Sequence, residues 1–90
     1  GFANEMDAFG LQFGHGLGLG LHERPIISRL NSLSHPVEIK AGMVFALETY
    51  CPSPDGISAA RIEEEVVITN NGAQVITKFP AEKLFVTNPY

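Results

Sequence analysis

Cysteine is nearly absent: Cys51 is the single thiol in 90 residues. It has no partner for an internal disulfide, which fits a reducing compartment and makes a cytoplasmic location the expectation. Positive charge is also scarce. Six Lys and Arg lie scattered among ten Asp and Glu, for a net charge of −4. The chain therefore has no basic stripe of the kind that binds nucleic acid. No apolar run approaches the ~20 residues of a spanning helix. The opening residues, Gly1-Phe2-Ala3-Asn4-Glu5, have neither the basic region nor the apolar run of a secretory signal. Membrane association is not expected. Internal repeats and low-complexity segments are missing as well.

What is present suits one small domain. Hydrophobic residues make up 44% and charged residues 18%, too apolar a mix for a disordered chain. A chain of this length buries only roughly 60–65% of its unfolded surface. Opening without Met, residues 1–90 are expected to form a single partial domain, an interior or C-terminal portion of a longer protein.

Residues 1–10 read as the end of a helix and a connection, with Asn4 or Asp7 able to cap a short turn. From Leu11 to Leu21 apolar residues alternate with glycine. An extended segment there puts Gly14, Gly16, Gly18 and Gly20 on one side and His15, Leu17, Leu19 and Leu21 on the other. Its bare face admits a close backbone or ligand. Pro25 and Pro36 bracket a polar loop over 24–37. Gly42 to Tyr50 reads as a strand, with Val44, Ala46 and Glu48 on one face and Met43, Phe45 and Leu47 on the other. A turn at Pro52-Ser53-Pro54-Asp55-Gly56 leads to a second strand, Ala60 to Thr69. Asn70-Asn71-Gly72 then signals a hairpin, with Gln74 to Phe79 as the returning strand. Together these predict an α+β protein built on one curved antiparallel sheet with few helices.

The glycine-rich segment invites a nucleotide site, but neither phosphate-binding glycine spacing can be laid on residues 10–20, and no Lys follows. His15 between two glycines is a different matter. Imidazole is a common metal ligand, and flanking glycines leave room for an ion and a substrate. Alone, His15 reads sooner as a hydrogen-bonded histidine at a strand bend than as a ligand, since single histidines are abundant and ligands are not. His22, in His22-Glu23-Arg24-Pro25, is not part of a zinc helix, because Pro25 breaks the required turn. It suits a hydrogen-bond donor to substrate, or a loop residue without a role. Glu23 reads as a surface or loop-anchoring charge. Glu48, on the Val44–Ala46 face, is costly there unless paired, protonated, bound to metal or solvated at the sheet rim. Within Glu63-Glu64-Glu65, alternation turns Glu64 away from the other two, so at least one carboxylate faces inward. Arg61 shares the Glu63 face and is placed to pair with it. One His and two Glu from separate segments form a mixed N/O set suited to Mn, Fe, Co or Zn.

In this order, Phe13-Gly14-His15-Gly16-Leu17-Gly18, His22-Glu23-Arg24-Pro25, Gly42-Met43-Val44-Phe45-Ala46-Leu47-Glu48 and Arg61-Ile62-Glu63-Glu64-Glu65-Val66-Val67-Ile68-Thr69 resemble the pita-bread metallopeptidase superfamily. That group includes methionine aminopeptidase, prolidase, Xaa-Pro aminopeptidase and creatinase. The match runs from about residue 11 to 80 and falls on the C-terminal half of the pita-bread catalytic domain. The resemblance implies that His15, Glu48 and Glu63 are metal ligands, with Glu63 bridging two divalent ions. Glu48 would also shuttle protons, His22 would hydrogen-bond the substrate or the oxyanion, and Arg61 would support the ligands. The implied chemistry is a metal-bridging hydroxide attacking a carbonyl.

The sequence departs from the family pattern in three places. The usual pair of aspartate ligands is absent, Leu11 stands where many relatives have a second His, and Glu48-Thr49-Tyr50 replaces Glu-Pro. The resemblance thus implies an Xaa-Pro-type peptidase whose site is incomplete within these residues, which alone would hold one ion or none. A peptide or small zwitterion is the expected substrate, and a homodimer is left open. The alternatives are a creatinase-like or dimethylsulfoniopropionate-lyase-like enzyme, or a metal-free binding module on the same fold.

Overall fold

The computed structural model describes Ala3, Asn4, Asp7 and residues 12–88. Five strands form one antiparallel sheet: β1 (Gly14–Gly16), β2 (Glu23–Ile27), β3 (Val44–Pro52), β4 (Ala59–Thr69) and β5 (Gly72–Val75), with one short helix, α1 (Arg29–Ser32), among the described residues. The spatial order is β2-β1-β3-β4-β5. The expected helix end over residues 1–10 falls largely outside the described residues. Within that stretch, Asn4 Oδ1 accepts the Asp7 amide at 3.0 Å, the capping contact its sequence suggests.

The β3–β4 hairpin is the spine of the sheet. Its register runs unbroken from Val44↔Val67 to Pro52↔Ala59, one or two residues from the expected strand limits. The connecting turn closes because Asp55 Oδ1 accepts the amides of Ile57 at 2.9 Å and Ser58 at 2.8 Å. Gly56 supplies the positive φ, +70°, that the turn requires. Register partners share a face. His15, Ala46, Glu48, Arg61, Glu63 and Glu65 therefore lie on one side of the sheet, and Phe45, Leu47, Glu64 and Val66 on the other. Phe45 and Val66, paired directly, are the buried apolar centre of the second face, while Ala46 is buried beside His15 on the first.

Three elements differ from expectation. The glycine-rich segment is extended only over Gly14–Gly16. It then leaves the sheet through a turn in which Gly18 donates to the Gly20 carbonyl and Gly20 to Glu23 Oε1. Glycine has no side chain to hold a register, and the Glu23 carboxylate captures the backbone that would have continued the strand. The predicted loop over 24–37 contains β2 and α1. Pro25 is tolerated in β2 because that strand is at the sheet edge, where a missing N–H leaves no ladder bond unmade. Ser28 starts α1 by accepting the Leu30 amide on its hydroxyl. The returning strand begins at Gly72 and ends at Val75, earlier than predicted. Ile76 still donates to Glu65 O, but the Glu65 amide bonds the Thr77 hydroxyl instead of a carbonyl, and the ladder stops. Among the described residues, no helix is long and apolar enough to cross a membrane.

Candidate metal centre

His15 sits deep in the sheet because its neighbours are glycines. A Cβ on Gly14 would lie 2.5 Å from the Ala46 carbonyl oxygen, and one on Gly16 would lie 2.5 Å from that of Arg24. Bare at both positions, β1 lets β3 and β2 close around it, and His15 is left 1% exposed. Its Nδ1 is 2.9 Å from the Gly16 carbonyl oxygen. A carbonyl only accepts, so Nδ1 carries a hydrogen and Nε2 is the ring nitrogen left to face Glu48. It lies 3.4 Å from Glu48 Oε1.

Glu48 is 8% exposed, so its charge has little water to stabilise it. Its other oxygen, Oε2, accepts from Gln12 Nε2 at 3.3 Å and from the Arg61 guanidinium. Burial pushes the carboxyl up. The bonds from Gln12 and Arg61 and the positive charge of Arg61 outweigh it and hold the group below its ordinary value. Glu48 therefore stays a carboxylate near neutrality. His22, on the turn before β2, stacks obliquely on His15 with ring centroids 4.1 Å apart. One ligand atom from each of His15, His22 and Glu48 lies within 4.8 Å of the others.

This donor set fits a divalent cation. A neutral imidazole would turn a lone pair on this buried carboxylate oxygen, and a positive charge between them, a proton or a divalent cation, removes the repulsion. The 3.4 Å gap is within the span of two ~2.1 Å metal–ligand bonds. The Nδ1 bond to a backbone carbonyl is also the outer contact that commonly fixes a metal-binding histidine.

The structure brings His15, His22 and Glu48 together, with His22 as close as a third ligand. Glu63 lies directly opposite Glu48 on the same face, but it is exposed and its carboxylate is outside the cluster. Arg61, expected to pair with Glu63, instead bonds Glu48. Tyr50 is its register partner, which places Glu48 on the diagonal, within reach of a long side chain. Gln12 is a participant that the sequence gives no means of finding. No periodicity or motif sets it apart, and only the fold carries it to Glu48.

The model of metallopeptidase family M24 matches residues 2–70. The chain belongs to that family. It is 41% identical over 80 residues to an Xaa-Pro dipeptidase of Pyrococcus furiosus, covering 87% of this chain and 21% of that protein. It is 40% identical over 83 residues to an uncharacterized peptidase of Bacillus subtilis, YqhT, covering 89% of this chain and 21% of that protein. Among solved structures, a prolidase from Thermococcus sibiricus superposes with a TM-score of 0.69 at 32% identity, covering 83% of this chain and 19% of the prolidase. The five-stranded open sheet is thus a section of the pita-bread fold. As an M24 member, the chain spans about a fifth of the length of these relatives.

Proposed function

We propose that residues 1–90 are the C-terminal part of the catalytic domain of a metal-dependent peptidase of the Xaa-Pro dipeptidase or aminopeptidase type. The observation that carries this reading is the buried His15 Nε2 facing Glu48 Oε1 at 3.4 Å, with His22 against it. Family membership and the P. furiosus relative support the peptide substrate class. The site would take two divalent ions of the Mn, Fe, Co or Zn type. His15 and Glu48 would hold them, with Glu63 opposite Glu48 on the same face and carboxylates supplied from outside this stretch. When bound, such ions lower the pKa of water and stabilise charge at the scissile carbonyl.

The chain's own residues do the rest. Glu48 would accept and return the water proton, its carboxylate held in position by the bonds from Gln12 and Arg61 to Oε2. His22, exposed on its turn, donates to the substrate carbonyl as negative charge develops. Arg61 fixes the orientation of Glu48. The test is calorimetric titration of the native protein with Mn²⁺, Co²⁺ and Zn²⁺, alongside turnover of Xaa-Pro dipeptides. Glu48→Gln should weaken metal binding at least about tenfold and abolish turnover. Hydrolysis of creatine-like or sulfonium zwitterions in place of peptides would move the protein to the non-peptidase branch of the family. Absence of metal binding would leave a binding module.

A further inference from the structure

Three histidines occur in the chain, and His22 is held unlike the other two. His15 has Nδ1 against the Gly16 carbonyl and Nε2 against Glu48, and His35 has Nδ1 against the Ser34 hydroxyl. Neither ring nitrogen of His22 has a hydrogen-bond partner among the described residues. The residue is exposed, yet its ring rests on that of His15, centroids 4.1 Å apart, instead of standing out in water. The backbone puts it there. Glu23 Oε1 ties down Gly20 on one side of it, and the Gly16↔Glu23 pairing fixes the residue on the other. With both flanks held, the side chain is what remains to move, and exposed side chains change rotamer within nanoseconds.

A ring nitrogen without a partner, beside a buried imidazole and a buried carboxylate, has the placement of a ligand. Two ~2.1 Å bonds at a tetrahedral angle set donor atoms about 3.4 Å apart. His15 Nε2 and Glu48 Oε1 stand at 3.4 Å. The His22 donor lies within 4.8 Å of the donor atom of each, so it closes on the same ion by moving no more than about 1.4 Å. Two imidazoles and one carboxylate, with a fourth position open, form a donor set that zinc takes. Glu63, the other candidate for third place, is an exposed carboxylate outside the cluster. The two candidates differ in chemistry: imidazole favours zinc, and a further carboxylate favours manganese.

We propose that His22 is an exchangeable metal ligand. Without substrate it joins His15 and Glu48 to hold one zinc-type ion. When a substrate carbonyl arrives, His22 swings away and offers a ring N–H to its oxygen. The inference rests on the metallopeptidase reading of the His15–Glu48 centre, and adds a closed resting arrangement in which this stretch supplies three ligands of its own.

The test uses the native protein stripped of metal. Calorimetry with Zn²⁺ and with Mn²⁺ compares wild type, His22→Phe and His22→Glu. Outer contacts of metal ligands are worth about 10–100-fold in affinity, and loss of a ligand costs at least as much. His22→Phe keeps a ring against His15. It should lower Zn²⁺ affinity at least about tenfold and leave Mn²⁺ affinity nearly unchanged. His22→Glu should recover Zn²⁺ binding in part and tighten Mn²⁺ binding, a change of preference that a role in packing the turn does not produce. Cobalt in place of zinc reports coordination directly. The visible spectra of the Co²⁺ forms of wild type and His22→Phe should differ. They should converge when a phosphinic dipeptide analogue, whose P–O⁻ stands for the oxyanion, is bound.

Identical Co²⁺ spectra without the analogue, or equal losses of Zn²⁺ and Mn²⁺ affinity in His22→Phe, would overturn the ligand role. Spectra that stay apart with the analogue bound would overturn the exchange. Unchanged Zn²⁺ affinity in His22→Phe, where Glu48→Gln weakens it, would refute the inference and leave the metallopeptidase reading standing. A wild-type protein that binds no metal removes both. His22-dependent Zn²⁺ binding without turnover of any peptide removes the peptidase reading alone.

Discussion

Gly16→Ala is the substitution that most directly tests how the site is assembled. The new Cβ would lie 2.5 Å from the Arg24 carbonyl oxygen and 2.9 Å from both the Arg24 carbonyl carbon and the Glu23 carbonyl oxygen. All three are backbone atoms, so no side chain can swing aside. Ordinary contact begins near 3.4 Å, and β2 must therefore move off β1 by about 0.9 Å. That shift stretches the bond from Phe13 N to Ile27 O, now 2.8 Å, to roughly 3.7 Å, beyond useful hydrogen-bond length. Losing one such bond costs about 1 kcal/mol, and the overpacking adds about 1–3 kcal/mol. His22 immediately precedes β2 and moves with it, so the metal cluster opens as well.

Urea unfolding should show a loss of about 2–4 kcal/mol for Gly16→Ala, and calorimetry should show weaker Mn²⁺ and Zn²⁺ binding. Gly42→Ala is the control. Gly42 has φ +91°, and no atom lies within 4 Å of where the added methyl would stand. Its cost is therefore conformational, about 1–2 kcal/mol, and metal affinity should not change. Gly16→Ala with wild-type stability and wild-type metal affinity would refute the placement of β2 against β1, and with it the position of His22.

Three further outcomes are expected. The Asp55 carboxyl is held down to about 2 by the backbone amides of Ser58 and Ile57, against an ordinary 3.8. Its contribution to the turn is therefore complete above pH 3.8 and lost as pH falls through about 2; an NMR titration with a midpoint near 3.8 would contradict the turn geometry. Arg61→Met should weaken divalent-metal binding by about tenfold, with Arg61→Lys intermediate, because the anchor of Glu48 is lost; unchanged calorimetric affinity would deny Arg61 an orienting role. Glu64 Oε2 is enclosed without a hydrogen-bond partner among the described residues, so Glu64→Met should raise stability by about 1 kcal/mol in denaturant unfolding; a loss would reveal a partner for Glu64.

The parts of the fold legible in the sequence are those encoded by side chains acting locally. Alternation along residues 44–50 and 60–69 fixes which face each residue takes, and Asp55 with Gly56 fixes the turn between them. The register that places Glu48 opposite Glu63 follows from those two facts. Around β1 the information is of another kind. Glycine alternation is compatible with a long strand, and what ends it is Glu23 reaching back to Gly20. Pro25 argues for a loop because a sequence does not state which strand is at an edge. His15, His22 and Glu48 are identifiable by residue type and order. The partner of Arg61 is not, because the choice between Glu63 on its own strand and Glu48 on the diagonal depends on side-chain reach across the twisted pair.

The two oxygens of Glu48 have separate surroundings, and the sheet explains why. Oε2 points toward β4 and the entering chain, where Arg61 and Gln12 occupy it. Oε1 points toward β1 and His15. A carboxylate satisfied at both oxygens would be inert, and one satisfied at neither would be too costly to bury. Anchoring one oxygen stabilises the charge while the other keeps its lone pairs open toward His15. The anchor itself is not sealed in. The Arg61 side chain is 56% exposed against 6% for Glu48, so only one charge of the pair bears the full desolvation cost. The opposite face keeps this arrangement in register: Phe45 and Val66 pack as direct partners on the same two strands. A shift of one residue would exchange that apolar pair for the carboxylates. Burial on one face thus holds Glu48 in line with His15 on the other.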